Sequence, residues 1–374
     1  MKAMILAAGK GTRVQPITHE IPKPMIPVIN QPVMELIISH LKTHGFSDFI
    51  VNVSHLAQHI EDYFKDGSRL GVNMAYSWEG HFDGDEWVGQ AMGSAGGMRL
   101  IQDRTGFFDS TFAVLCGDAV IDVDFSEALA FHREKGSIAT IIMKQVPRDE
   151  VSSYGVVVTD DDGRVVSFQE KPAPEEAKSD VVNTGIYIFE PEIFNFIPSE
   201  GEYDIGSELF PALVEAGAPF YGVTLPFQWI DIGTTPDLWD ATEMALNNEI
   251  HGFTIPGEEV SPGVYTGANV LIEEGADIKG PVYIGGSTVI RKDAVVHGPA
   301  LIHSGCVIES DAEIRNSIVW HHTRISGGAT LDMKIVFGPH CIDFAGNVVH
   351  LGEGGFDWLI SDVRSKSVSE SPLK

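Results

Sequence analysis

Two architectures in one chain are predicted: an α/β domain on a doubly wound, mainly parallel sheet, then a left-handed parallel β-helix. Three observations predict them. From residue 1 to about 250, short apolar runs alternate with amphipathic segments. From residue 272 onward, an aliphatic residue recurs at every sixth position. Between the two lies 251–263, with two prolines, three glycines and little periodicity. The expected organisation is therefore a first domain at 1–250, a linker at 251–263, a repeat domain at 264–350 and a C-terminal segment at 351–374. The 374 residues suit two domains, at roughly 150 residues each.

The strand candidates are Lys2–Ala7, Asp48–Val53, Val72–Ser77, Phe112–Cys116 and Ala139–Lys144. Among them lie amphipathic helix candidates at Val33–His44, His55–Phe64 and Phe125–Lys135. Strand, helix and strand at this spacing form crossover units, which lay the strands parallel. Two segments break the rhythm. Tyr154–Thr159 and Val165–Glu170 flank Asp160-Asp161-Asp162-Gly163 and read as a β-hairpin. Val182–Phe189 is a further strand, and Pro236–Asn247 a helix closing the domain.

In the repeat, Ile272, Ile278, Ile284, Ile290, Val296, Ile302, Ile308 and Ile314 stand at seven consecutive intervals of six. Four places after each sits a mostly small residue, such as Ala276, Ala294, Ala300, Cys306 or Ala312. Each hexad supplies one side of a triangular coil, with the aliphatic inside and little room at the small position. The phase slips by one residue at Val319 and resumes through Ile325 and Leu331. His297 and His303 follow inward aliphatics by one place and are expected to point outward. After the repeat, the apolar patch Phe356–Ile360 is expected to pack, and the chain from about Ser361 to be loose.

Composition excludes several function classes. With 53 acidic against 25 basic residues and a net charge of −28, the chain lacks the cations that bind nucleic acid or an anionic membrane. No apolar run approaches the ~18 residues of a membrane span. The start has too short an apolar stretch for a signal peptide. Three widely spaced cysteines, Cys116, Cys306 and Cys341, form neither a disulfide framework nor a Cys-pair zinc site. A cytoplasmic protein is expected.

Against this acidic background, residues 1–24 carry four cations, Lys2, Lys10, Arg13 and Lys23, and one acid, Glu20. Gly9-Lys10-Gly11-Thr12-Arg13 directly follows the first strand, where backbone N–H groups between small residues approach phosphate oxygens. The pattern is neither a dinucleotide fingerprint nor a P-loop. Taken alone, a Gly-x-Gly here is more often a tight turn. Leu115-Cys116-Gly117-Asp118 and Trp229-Ile230-Asp231-Ile232-Gly233-Thr234 each place an aspartate at a strand end, the edge where open α/β sheets bind ligands. Two such carboxylates without a Cys or His cluster offer hard oxygen donors suited to Mg²⁺. Glu170-Lys171 ends the hairpin, where neighbours on a strand point to opposite faces.

At Ala8–Pro27 the chain carries the whole pattern A-G-x-G-T-R-h-x-P-h-T-x-x-x-P-K-x-h-h-P, h being apolar. Here it resembles the sugar-1-phosphate nucleotidyltransferases, and its hexads resemble the subgroup with a C-terminal β-helix. The resemblance implies a Rossmann-like first domain that joins a nucleoside triphosphate to a sugar 1-phosphate and releases pyrophosphate. It implies nucleotide contacts at Leu6, Ala8, Gly9, Gly11, Thr12, Arg13, Gly93, Ser94 and Gly117. Sugar-phosphate contacts fall at Gly155, Glu170, Lys171 and Asn183. Arg13, Lys23, Asp118 and Asp231 take the catalytic roles, with Mg²⁺ on Asp118 and Asp231. Met92-Gly93-Ser94-Ala95-Gly96-Gly97 matches the family loop that opens a helix beside the base.

The chain departs from compact members by inserting 79–90 just ahead of that loop. Its acids and its Phe82 and Trp87 read equally as a solvated loop. Expected substrates are UTP and glucose 1-phosphate, with GTP and mannose 1-phosphate as the alternative. A catalytically silent sugar-nucleotide sensor is disfavoured, because Arg13, Lys23, Asp118, Lys171 and Asp231 are all present. Acyl transfer on the repeat is disfavoured because the sequence carries no distinctive signature of the thioester-cofactor pocket it needs between coils. The flat sides of the repeat suggest a homo-oligomer.

Overall fold

The computed structural model describes residues 1–84, 86–352 and 358–365, with the backbone alone at 81, 82, 86 and 87. The side chains of Phe82 and Trp87 thus lie outside the described residues. The chain forms two compact units. One comprises Met1–Lys10, Ile21–Ile26 and Val33–Trp229; the other comprises Gly11–Glu20, Pro27–Pro32 and the chain from Ile230. The helix expected to close the first domain thus groups with the second unit, and the division falls at Trp229 rather than at 250.

The first unit is built on a nine-stranded sheet. Its strands are β1 (Lys2–Leu6), β2 (Asp48–Val53), β3 (Asn73–Trp78), β4 (Phe112–Cys116), β5 (Ala139–Gln145), β6 (Gly155–Thr159), β7 (Val165–Glu170), β8 (Val181–Phe189) and β9 (Phe220–Thr224). They lie in the order β7-β6-β8-β4-β1-β2-β3, with β5 pairing β8 and β9. β3, β2, β1 and β4 are mutually parallel, joined by crossovers through α1 (Val33–Thr43), α2 (Ala57–Phe64) and α3 (Ser94–Thr105). β8 runs antiparallel to β4, so half of the sheet is mixed. The strand at Phe220–Thr224 was not legible in the sequence.

Apolar periodicity explains the helices. α1 buries Val33, Met34, Ile37, Ile38 and Leu41, one face at helical spacing. α4 (Phe125–Glu134) starts where Asp124 accepts from the Ser126 and Glu127 N–H groups, a side-chain cap on orphan donors. The main core gathers Phe108, Phe112, Phe189, Phe210 and Phe220 with Met4, Ile50, Val114 and Ile141, whose register places them on one face of the sheet. The insertion is not a free loop: Gly80–Asp83 and Glu86–Gly89 pair antiparallel, with Phe82 opposite Trp87 in backbone register.

In the second unit the hexads wind a parallel β-helix. Val264 pairs with Val282, Leu271 with Val289 and Asp277 with Val295, each 18 residues on, so three hexads make one coil. The later coil is shorter: Leu301 pairs with Ile318 and Val307 with Arg324, 17 residues on. The phase slip at Val319 is thus a one-residue deletion at the corner Arg315–Ser317. Ile284, Ile290, Val296, Ile302, Ile308 and Ile314 are all 0% exposed, whereas Ile272 on the first coil is 37% exposed.

Four expectations change here. His303 is buried rather than exposed: its ring packs against Trp320 with centroids 4.6 Å apart, one place past the strand end at Ile302. Glu258–Ser261 of the expected linker pairs antiparallel with Val264–Thr266. The expected β-helix stops short of 350: His340–Asp343 folds back antiparallel on Lys334–Phe337, which covers an otherwise open sheet edge. The tail does not loosen at Ser361. Ile360–Asp362 pairs antiparallel with Thr323–Ile325, and Ile360 is buried. Of the apolar patch, Phe356 and Asp357 lie outside the described residues, as does 366–374; Trp358 is exposed, and Leu359 packs on the β-helix core.

Candidate active site

In the first unit, the parallel register brings the carboxyl ends of β1 and β4 level, Leu6 opposite Cys116. The Gly117 N–H donates to the Leu6 carbonyl at 3.0 Å. The loops Ala7–Lys10 and Gly117–Asp118 therefore emerge side by side. Lys23, on a short turn at Lys23–Met25, reaches the Asp118 carboxylate, which accepts a hydrogen bond from its Nζ. Both side chains are mostly shielded, 11% and 24% exposed. Nothing lies within 4 Å of a Cβ at Gly9, so no neighbour in the protein demands glycine there.

The loop Met92–Ser94 is fastened from two sides. Gly93 has φ +73, and a Cβ on it would sit 2.4 Å from the Tyr203 carbonyl, so only glycine fits. The Ser94 hydroxyl donates to Asp204 at 2.7 Å and accepts from the Ile205 N–H at 2.8 Å. Its side chain thus anchors the loop, and the Gly96 N–H in the first turn of α3 donates to the Tyr203 carbonyl at 2.8 Å.

Asp204 also caps the helix beginning at Ile205, accepting from the Gly206 and Ser207 N–H groups. Burial works against its carboxyl, but these hydrogen bonds hold it below the usual range. Asp204→Ala is expected to cost about 1–2 kcal/mol at neutral pH. Because the folded-state pKa is depressed, that stabilisation is present above the ordinary aspartate range and is lost as pH falls through the lower folded value. Urea unfolding of wild type and variant at neutral and acid pH would show the gap closing.

The sugar-side candidates also sit in the first unit. Gly155 pairs with Glu170 across the hairpin. Lys171 has φ +44, so it leaves the strand and turns its ammonium back to 3.7 Å from Glu170. The expected opposite-face arrangement fails at this residue because the strand ends there. Half-exposed as it is, the pair contributes little to stability. Burial raises the Glu170 carboxyl, nearby Asp204 adds to this, and Lys171 opposes it. Asn183 donates to the buried Tyr187 hydroxyl at 3.0 Å and accepts from the Gly185 N–H at 2.8 Å. One N–H of its amide is left over.

In the second unit, Gly11 has φ +61 and opens the turn Thr12–Val14, and the Thr18 hydroxyl donates to its carbonyl at 2.8 Å. Arg13 is exposed. A Cβ on Gly233 would lie 3.2 Å from carboxylate oxygens of both Asp231 and Asp237 and 3.4 Å from an Arg13 guanidinium nitrogen. Arg13 and Asp231, more than two hundred residues apart, are thus brought together. Asp237 is itself held by Thr234, which caps the helix Thr235–Leu246.

Two carboxylates, each beside a cation, remain the hard donors, and no cluster of three or more His, Cys, Asp or Glu occurs among the described residues. A carboxylate in either unit is a hard donor of the kind that suits Mg²⁺, which uses one or two carboxylates and completes its shell with water and substrate phosphates. Neither fits a structural zinc site, which needs four protein ligands.

Residues 2–248 match the family model described as nucleotidyl transferase. The chain belongs to this nucleotidyltransferase family. A UTP–glucose-1-phosphate uridylyltransferase of Synechocystis is 55% identical over 369 residues, covering 98% of this chain and 95% of that protein. A mannose-1-phosphate guanylyltransferase of Mycobacterium tuberculosis is 30% identical, covering 74% of this chain and 76% of that protein. The fold matches a UDP-glucose pyrophosphorylase complexed with UDP-glucose at a TM-score of 0.55 and 21% identity, over 66% of this chain and 98% of that one. These matches place the nucleotidyltransferase fold on the first domain. The roles of Asn52, Glu79, Asp204 and Tyr187 went unread in the sequence. The available signal was a polar residue inside an apolar strand, as Asn52 is in Asp48–Val53.

Proposed function

We propose that this nucleotidyltransferase joins UTP to glucose 1-phosphate, giving UDP-glucose and pyrophosphate. One observation carries the reading: the unbroken signature Ala8–Pro27, with Lys23 seated on Asp118, in a chain 55% identical over nearly its whole length to a uridylyltransferase. An oxygen of the sugar phosphate attacks the α-phosphorus in line with the departing pyrophosphate. That oxygen is already ionised and needs no general base. The work of the protein is to hold two polyanions in line and to meet charge building on the phosphoryl oxygens.

The backbone of Leu6, Ala8, Gly9, Gly11 and Thr12 lies along the nucleotide, and the open space at Gly9 suits close approach of a phosphate. Arg13 steadies the leaving pyrophosphate. Lys23 meets charge at the α-phosphate. Gly93, Ser94 and Gly117 line the nucleotide side; Gly155, Glu170 and Asn183 hold sugar hydroxyls, and Lys171 holds the sugar phosphate. Asp118 and Asp231 are the Mg²⁺ ligands, and the ion neutralises phosphate charge when bound. The enzyme is cytoplasmic and a homo-oligomer through its β-helix; eight of the eleven exposed large apolar residues among those described fall in the second unit, from Val260 to Trp358.

The test is pyrophosphate release with Mg²⁺ across five nucleoside triphosphates, each with glucose, mannose and N-acetylglucosamine 1-phosphates. Selective turnover of UTP with glucose 1-phosphate is expected. Preference for GTP with mannose 1-phosphate would replace the substrates and keep the mechanism. Silence in a folded protein would overturn the reaction.

A further inference from the structure

Glu79 is a carboxylate only 1% exposed, on the segment leaving β3. One oxygen accepts from the Asn52 amide at 2.8 Å and the other from the Met92 N–H at 3.0 Å. The Asn52 carbonyl oxygen in turn accepts from the Ala7 N–H at 2.8 Å. Burial pushes the Glu79 carboxyl up, and its two donors pull it back. A Cβ on Gly97 would fall 2.3 Å from Glu79 Oε1, so the glycine in α3 leaves the space the carboxylate fills. The Gln90 N–H also donates to the Glu79 carbonyl at 3.0 Å, closing the inserted hairpin at its base.

We infer that Asn52 and Glu79 form a buried positioning relay, which fixes the loop after β1 at Ala7 against the loop before α3 at Met92. The inference rests on the reading that these two loops hold a nucleoside triphosphate, one along its phosphates and one beside its base. The hydrogen-bond polarity of the relay admits one chemistry at each place. Both ends are backbone donors, so the two side chains together must present an acceptor at each end and one donor–acceptor bond between them. The Ala7 N–H fixes the orientation of the Asn52 amide, which turns its NH₂ to Glu79. Glu79 must then accept twice.

Glu79→Gln supplies one acceptor and one donor, so one N–H in the chain is left facing another. Asn52→Asp sets two carboxylates face to face. The double variant Asn52→Asp/Glu79→Gln reverses the middle bond, restores all three hydrogen bonds and keeps the net charge. UTP affinity of the full chain, measured by calorimetry without sugar phosphate, is expected to fall at least ~10-fold in each single variant, the size of stranding a buried donor. In the double variant it should return to within about threefold of wild type, with the KM for glucose 1-phosphate little changed throughout.

Single variants that bind UTP as wild type does, or a double variant no better than either single, would overturn the relay, as would a wild type that binds no UTP. If a single variant fails to fold, the double variant decides alone by folding and binding or not. Wild-type turnover tests the reaction separately. A restored affinity without turnover overturns the reaction and keeps the relay; turnover without restoration does the reverse.

Discussion

Asp118→Ala is expected to lower kcat at least ~10²-fold, the size seen when a preorganised electrostatic group is removed, with the fold intact. Asp118 sits on the turn after β4, where its main partner is the Lys23 ammonium. Two roles compete for that geometry. In one, the carboxylate binds the divalent ion and the phosphates gathered on it; in the other, it merely parks Lys23. Asp118→Asn separates them. The amide oxygen still accepts from Lys23 but lacks the charge that holds a hard cation. If charge is the point, Asn costs nearly as much as Ala in kcat at saturating substrate. If parking is the point, Asn keeps most of the activity. Near-wild-type turnover in Asp118→Asn would withdraw Asp118 from the metal, and circular dichroism of both variants would confirm that the sheet is unchanged.

The residues legible in the sequence share one property: each lies in a local pattern. The glycine loop, Gly117-Asp118 and Glu170-Lys171 all fall within a few residues of a recognisable strand end. Strand boundaries were readable because β-branched and aromatic runs are bounded by turn formers. What went unread acts between distant segments. Asp204 meets Ser94 across more than a hundred residues, and Asn52 meets Glu79 across a whole crossover. Glu79 shows the reason most clearly. As the first residue of an acidic insertion it reads as solvated, and only the placement of the Asn52 amide and the Met92 N–H makes burial of its carboxylate tolerable. Lys171 failed in a different way. The rule that strand neighbours face apart presumes the strand continues, and one left-handed residue ends it.

The repeat was legible for a different reason. A coil of three hexads reuses the same interior three times per turn, so its pattern is written into the sequence again with every side. The one-residue slip was visible as a change of phase, and the structure turns it into a shorter corner. Interior burial itself was not readable at the ends. Ile272 and Ile302 hold the same place in the hexad, yet Ile302 has coils on both sides, pairing with Ile284 and Val319, while the strand of Ile272 pairs onward to Ile290 alone.

That contrast sets the second large effect. Ile302→Ala removes three methyl or methylene groups from a position that is 0% exposed, in a cluster with Ile284, Cys306 and Val319. The neighbouring strands are fixed by ladders on both sides and cannot close around the loss, so the variant bears both the lost transfer energy and a cavity. About 3–4 kcal/mol is expected, near the upper half of the range for such truncations. Ile272→Ala makes the same chemical change at a side chain already 37% exposed, with a free edge that can relax, and about 1 kcal/mol or less is expected. Equilibrium urea unfolding of the two variants, followed by circular dichroism, compares them directly. Equal losses would mean that the first coil is covered in solution, which is what association through that end of the β-helix would produce, and repeating the measurement across a range of protein concentrations would tell the two situations apart, because only association makes the Ile272→Ala loss concentration-dependent.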